Sequence, residues 1–314
     1  MRIIFLGYHN IGYACLEALI GLCRELGDEI VAVVTHADDP QENIWFASVR
    51  QLAFDHYLPV YQPADPNDPG FVAAMQALQP DFLFSCYYRH MLKQPLLNLP
   101  RLGALNLHGS LLPRYRGRCP LNWVLVHGET ETGVTLHYMV ERADQGDIVG
   151  FKRVPITYED TAVTLFAKLT AASLELIRET YPLLRAGTAP RLSQDHNQAS
   201  YYGGRTPADG RIDWRHSAQQ TYNLVRAVTH PYPGALTFFQ GRKLLIWAGQ
   251  VMTAPVTAPS EPGQVTAGVP GEGLLVATGA GHFLITQAQW ENDPEFLGPV
   301  VATWEHLVGV QLGT

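Results

Sequence analysis

Unbroken apolar runs alternating with helix-period segments constrain this chain most. Ile3 to Gly7 reads as a buried strand that turns at Gly7 into a helical pattern with apolar residues at Ile11, Cys15, Leu16, Leu19 and Leu22. Ile30 to Thr35 is a second apolar run. Trp45 to Tyr57 reads as a helix, Leu58 to Tyr61 as a short strand, Phe71 to Leu78 as a helix, and Asp81 to Ser85 as another buried strand. A strand wetted on one face alternates, whereas one that is apolar throughout is covered on both faces, as in parallel sheets with crossover helices. The expectation is an α/β fold: a Rossmann-like, mostly parallel sheet with helices on both faces. Ligands in such sheets sit beyond the carboxyl ends of the strands. That rim gathers Gly7 to Asn10, Ser85 to His90 and the residues after Leu105.

The pattern changes further along. Gly133 to Met139 alternates as a strand, Gly146 to Gly150 leads into another, and Thr161 to Leu184 is a long amphipathic helix with Thr161 as its cap. Residues 187–213 are polar and turn-rich, and Ser217 to Val228 is one more helix. Short strands follow at Ala235 to Phe239, Lys243 to Gln250, Gly263 to Ala267, Gly273 to Thr278 and His282 to Gln287. Five such strands with Gly/Pro turns predict a small OB-like β-barrel. The expected organisation is a catalytic domain over 1–203 and a barrel domain over 204–314. The Pro/Thr/Ser-rich stretch Ala254 to Pro262 is read as a loop. The last helix and the barrel leave room for a dimer surface, so a homo-oligomer is compatible with the sequence.

Bulk properties exclude several classes. Hydrophobic residues make up 46% of the 314, enough for a sizeable core. The net charge is -7 with no basic run, which argues against a nucleic-acid partner. No apolar run reaches the roughly 18 residues a membrane helix needs. The apolar start, Met1 to Gly7, is too short for a signal peptide, so a cytoplasmic protein without membrane insertion is expected. Cys15, Cys23, Cys86 and Cys119 lack CxxC spacing and read as reduced thiols. His90 and His137 lack metal-ligand spacing, so no metal is expected. Gly7 to Gly12 lacks the full GxGxxG pattern of a dinucleotide site.

The chemistry concentrates in Asn106-Leu107-His108-Gly109-Ser110-Leu111-Leu112-Pro113-Arg114-Tyr115-Arg116-Gly117-Arg118. Alternation puts Asn106 and His108 on one face of a strand end. An amide, an imidazole and a cationic loop at one place suit acyl transfer, with donors for a developing oxyanion and charge for an anionic substrate. A histidine after an apolar strand is often only a rim residue, and three arginines can be a solvated loop. The wider pattern decides between these readings.

That pattern is Asn-x-His-x-Ser-Leu-Leu-Pro-x-Tyr-Arg-Gly, then Thr132-Gly133-Val134-Thr135, then Asp144-Gln145-Gly146-Asp147-Ile148. It resembles the formyltransferases that use 10-formyltetrahydrofolate, over essentially the whole chain. Tyr87-Tyr88-Arg89-His90 and Arg116 to Trp123, with Tyr8-His9-Asn10 and Thr35 to Asp38, resemble most the formyltransferase domain acting on UDP-4-amino-4-deoxy-L-arabinose in lipid A modification.

The resemblance implies a catalytic trio of Asn106, His108 and Asp144. It places His90, Met91 and Leu92 along the folate pocket through their main chain, with Val140, Glu141, Arg142, Ala143 and Asp144 closing its other side. It assigns the nucleotide sugar to Arg118, Tyr115 and Tyr8. The co-substrate is 10-formyltetrahydrofolate and the partner a nucleotide sugar. The chain ends after the barrel, without the second, oxidative-decarboxylating domain of bifunctional relatives. A stand-alone enzyme whose sugar comes from another protein is therefore expected, and dTDP-linked amino sugars stay open beside the UDP-linked one. Methionyl-tRNA formyltransferase is the rival enzyme. It needs cationic surface, whereas Ala37 to Asn43 is acidic and the barrel region has few Lys or Arg. A silent folate- or nucleotide-binding module is the rival outside enzymes, and it has no need of the trio.

Overall fold

The computed structural model describes residues 1–40, 42–252 and 260–313. They divide into two compact units. The first comprises Met1–Pro120, Glu131–Ile156 and Phe166–Gly203; the second comprises Leu121–Thr130, Thr157–Leu165 and Gly204–Thr314.

The first unit carries β1 (Arg2–Gly7), β2 (Glu29–Val34), β3 (Val60–Tyr61), β4 (Phe82–Cys86), β5 (Gly103–His108), β6 (Arg116–Gly117), β7 (Glu131–Tyr138), β8 (Ile148–Pro155) and β9 (Tyr201–Tyr202). Seven of these form one sheet in the order β3-β2-β1-β4-β5-β7-β8. β1 to β5 are parallel neighbours, and β7 and β8 extend the sheet antiparallel. β6 and β9 pair separately as a two-stranded ladder. The helices are α1 (His9–Leu26), α2 (Val49–Asp55), α3 (Pro69–Ala77), α4 (Gln94–Leu97), α5 (Pro120–Val126) and α6 (Ala162–Ala186), the last two running across the division between the units.

The apolar runs have the expected cause. Ile4, Leu6 and Leu83 pack with Met75, Leu96 and Leu97 on one face of the sheet. Phe84 points the other way, its ring 6.1 Å from that of Tyr181 in α6. Gly7 and Gly12 serve close packing: a Cβ on Gly7 would lie 2.4 Å from the Phe5 ring, and one on Gly12 3.1 Å from the Cys86 carbonyl oxygen. α1 can therefore begin tight against the ends of β1 and β4.

A buried acid joins the start of the chain to α6. Asp28 accepts from the Met1 ammonium at 2.5 Å, from Tyr181 Oη at 2.6 Å and from Arg185 Nε at 2.8 Å, and its side chain is 1% exposed. Burial alone would raise this carboxyl, but the ammonium, the phenol and the guanidinium together hold it below the usual carboxylate range. The folded state then binds a proton less readily than the unfolded one, so this stabilisation is present above about pH 4 and is lost as pH falls through the folded value. Asp28→Asn is expected to cost about 3 kcal/mol, since it removes the buried charge that the ammonium, the phenol and the guanidinium share. Urea titration checks it; a loss under about 1 kcal/mol at pH 7 would mean the cluster is dispensable.

Two local readings change. The helix expected over Trp45 to Tyr57 is confined to α2, because Ser48 Oγ accepts from Gln51 N and starts it there. Trp45 and Phe46 instead pack on His9, with ring centroids 4.6 Å and 4.1 Å away. The polar stretch 187–213 contributes β9. By contrast, Thr161 caps α6 as expected, its Oγ1 accepting from Thr164 N at 3.4 Å.

In the second unit, α7 (Ala218–Val228) starts from a reciprocal cap between Ser217 and Gln220. Then come β10 (Ala235–Phe239), β11 (Arg242–Met252), β12 (Val265–Val269), β13 (Gly273–Ala277), β14 (His282–Trp290), β15 (Glu295–Leu297) and α8 (Gly298–Val301). The strands form an antiparallel, barrel-type sheet in the order β10-β11-β14-β13-β12, with β15 paired to β14. β15 is the strand beyond the five expected; three residues are too few to show alternation. Buried Arg226 donates to the carbonyls of Thr157 and Asp160, which ties that segment to α7. Most of the loop expected over 254–262 lies outside the described residues. Among the described residues no helix is long and apolar enough to cross a membrane, and all four cysteines are unpaired.

Candidate active site

β5 ends with Asn106 and His108 at successive positions of one face, and both reach a single oxygen. Asp144 Oδ1 lies 3.5 Å from Asn106 Nδ2 and 3.6 Å from His108 Nδ1. The other His108 nitrogen, Nε2, donates to the Tyr115 carbonyl at 2.7 Å. A carbonyl can only accept, so Nε2 carries a hydrogen and Nδ1 is the nitrogen turned toward the carboxylate. The loop after β5 is folded to present that carbonyl. Ser110 Oγ donates to Arg114 O at 2.7 Å, and Thr135 Oγ1 on β7 donates to Ser110 O at 2.7 Å.

Asp144 sits on the turn between β7 and β8 in a left-handed backbone conformation, φ 58°. Its second oxygen accepts from Gly117 N at 2.8 Å. Burial is the largest single influence and would raise its pKa, but His108, His137 and the Gly117 N–H together outweigh it, so the carboxyl is held far below its ordinary range. Asp144 is thus a permanent anion beside His108.

The structure adds a neighbour that the sequence reading set aside with the question of metals. His137 on β7 is the register partner of Asn106 on β5. Its Nε2 lies 3.4 Å from Asp144 Oδ1 and 3.3 Å from Asn106 Nδ2, and its Nδ1 faces the Tyr138 carbonyl at 2.8 Å. The signal that would have found it is cross-strand pairing of β5 with β7, which needs the sheet order. Among the described residues no group of three or more His, Cys, Asp or Glu is placed to hold a metal ion.

The remaining predicted residues separate into distinct settings. Tyr115 is buried, its ring stacked on Tyr202 with centroids 4.9 Å apart and its N–H bonded to Ser200 Oγ, so it supports the loop through its main chain. Arg118 is exposed, and among the described residues its guanidinium has no partner, which leaves the charge open for an anion. Arg116, in contrast, is fully buried. His90 and Met91 are exposed on the loop after β4, while the Leu92 side chain belongs to the core. Asn67 pins that loop, accepting from Lys93 N and donating to Met91 O. Val140, Glu141 and Arg142 are exposed on the turn before Asp144, and Ala143 is half-buried.

Tyr8 lies in a cluster of its own at the ends of β1 and β2. It is 3% exposed, donates to Asp38 Oδ1 at 3.2 Å and carries Arg89 over its ring at 4.5 Å. Burial, with Glu42 and Asp38 nearby, pushes its phenol up to about 12. With His36, Asp38, Phe46 and Gln62 it lines a cavity of about 270 Å³. Among the described residues no hydrogen bond or ion pair joins Tyr8 to the trio.

The arrangement places an amide N–H, an imidazole and a fixed anion around one point, with an open cation nearby in sequence. Such a set can bind an oxyanion and move a proton to or from a leaving nitrogen. Comparison with known proteins agrees with that chemistry. The structure is similar to an N-formyltransferase from Helicobacter canadensis solved with folinic acid and dTDP-3-aminofucose, at 19% identity over 92% of this chain and 99% of that one, TM-score 0.69. It is similar to WlaRD, a sugar 3N-formyl transferase solved with dTDP and 5-N-formyl-THF, at 17% identity over 94% and 99%, TM-score 0.68. HypX from Aquifex aeolicus, solved with tetrahydrofolic acid, matches at 20% identity and TM-score 0.61; the alignment covers 99% of this chain but only 48% of HypX. At these identities the likeness establishes the fold. The formyl transferase family model matches residues 1–180, and the formyl transferase C-terminal domain model matches residues 205–297. With more than half of its length under the first of these models, the chain belongs to the formyl transferase family.

Proposed function

We propose that the protein transfers the formyl group of 10-formyltetrahydrofolate to the amine of a nucleotide-linked amino sugar. The observation that carries this reading is the convergence of Asn106, His108 and His137 on one Asp144 oxygen, at 3.5, 3.6 and 3.4 Å. The amine's lone pair attacks the formyl carbon, and the carbonyl π pair moves to oxygen. Asn106 and the His108 imidazolium stabilise that oxyanion. The tetrahedral adduct then collapses: the carbonyl re-forms, the bond from carbon to the folate nitrogen breaks, that nitrogen takes a proton from His108, and the new amide nitrogen returns one to the His108 ring. Asp144 holds a fixed negative charge beside the ring without being consumed. The main chain of His90 to Leu92 and the turn Val140 to Asp144 hold the folate, and Arg118 holds the sugar nucleotide.

UDP-4-amino-4-deoxy-L-arabinose is the first acceptor to try, on the resemblance carried by Tyr87 to His90 and Arg116 to Trp123. dTDP-linked amino sugars come second, favoured by the ligand of the Helicobacter canadensis protein. The test is incubation with 10-formyltetrahydrofolate and each sugar, following N-formyl product by mass spectrometry. Product with one of them is expected. Absence of product with all, or formylation of methionyl initiator tRNA instead, would overturn the reading.

A further inference from the structure

Gln194 lies in the polar stretch to which the sequence assigns no chemistry, yet it is 7% exposed and its whole amide is engaged. Its Nε2 donates to Asp144 O at 2.9 Å and to Gly146 O at 2.7 Å. Its Oε1 accepts from Arg116 Nε at 3.2 Å and Arg116 Nη2 at 2.5 Å. A glutamine amide has two hydrogens and two lone pairs, and here all four are used. The orientation is forced, because a guanidinium only donates and peptide carbonyls only accept. Glutamate at this position would set an oxygen against two carbonyl oxygens.

Arg116 is 1% exposed, and its other partners are Tyr201 Oη at 2.5 Å and His196 Nδ1 at 3.0 Å. None of these partners is a carboxylate. The buried charge thus serves to orient a neutral amide. That amide grips both carbonyls flanking Gln145, on a turn whose Asp144 occupies a sparsely populated conformation. Such conformations persist where surrounding contacts over-determine them. The Asp144 carboxylate needs that turn in order to meet Gly117 N at one oxygen and the two imidazoles at the other.

We propose that Gln194, oriented by Arg116, is a positioning residue for the reaction: it sets the main chain of the 144–146 turn so that the Asp144 carboxylate faces His108. The inference rests on the role given to Asp144 above.

Gln194→Glu tests it. The side chain keeps its shape and gains an ion pair with Arg116, but loses both N–H donors to the turn. The expected result is a melting temperature close to that of the wild type, a formyl-donor KM little changed and kcat reduced roughly 100-fold, as for other small displacements of a reacting group. A crystal structure of the Q194E protein should show Asp144 Oδ2 out of hydrogen-bond reach of Gly117 N. Wild-type kcat in the Q194E enzyme, or a loss matching only the fraction unfolded, would overturn the proposal. So would an unmoved 144–146 turn. Should Q194E not fold, Q194M, which matches the length and suits burial, takes its place: the same loss of kcat and shift of the turn are expected, and wild-type kcat or an unmoved turn would again overturn the proposal. If the wild type itself formylates no amino-sugar nucleotide, the functional reading fails, and the position of the turn in the variant crystal structure still decides the role of Gln194.

Discussion

The His108→Ala enzyme is expected to lose kcat by about 10³-fold while keeping its fold and its affinity for the formyl donor. Removing a positioned proton donor typically costs between about 10² and 10⁴. His108 is also one of two groups placed to meet the oxyanion, which puts the effect in the middle of that range. The substitution leaves the Tyr115 carbonyl without its donor at 2.7 Å, but Ser110 Oγ still reaches the same oxygen at 3.3 Å, so the loop keeps an anchor. Single-turnover kinetics with saturating donor, together with calorimetric donor binding, separate chemistry from binding. A kcat within tenfold of wild type would remove His108 from the mechanism.

Asp144→Asn is the second large effect, and it isolates charge from architecture. The new amide oxygen can still accept from Gly117 N, and its carbonyl can still take the Gln194 donor, so the turn should stand. The negative charge is lost. A drop in kcat of about 10²-fold or more is expected. The pH dependence carries a sign. In the native protein Asp144 is ionised far below neutrality, so lowering pH toward 5 should not titrate it. A kcat within about threefold of wild type in the Asp144→Asn enzyme would show that Asp144 acts through the backbone alone.

Much of the fold follows from apolar runs that need no partner to be recognised. Ile3 to Gly7, Ile30 to Val34 and Phe82 to Ser85 are buried on both faces, so each run announces its own strand. The reading fails where structure depends on distant pairing. Arg116–Gly117 and Tyr201–Tyr202 form strands only because they meet each other, and Glu295 to Leu297 only because β14 is beside it. Trp45 and Phe46 looked helical in period but are held by the His9 ring, a contact that local spacing does not encode. The site divides the same way. Asn106, His108 and Asp144 stand inside a motif that singles them out, and the structure brings them together. His137 and Gln194 were not legible, because their roles come from a strand opposite and from a segment that returns late in the chain. Tyr115 was legible as part of the site but not in kind, since the sequence cannot say whether a tyrosine presents its ring or its carbonyl.

The return of residues 191–202 to the loop after β5 also bears on assembly. Arg116 and Tyr201 are separated by 85 positions, and Arg116 and Gln194 by 78. During synthesis the Asn106, His108 and Asp144 side chains emerge well before the segment that fixes their turn. Contacts of such sequence separation close late and slow the final step of folding. Competence for transfer should therefore lag behind formation of the parallel sheet. A fragment ending at residue 180, the limit of the family's N-terminal match, would contain the trio but lack the amide that seats its anion.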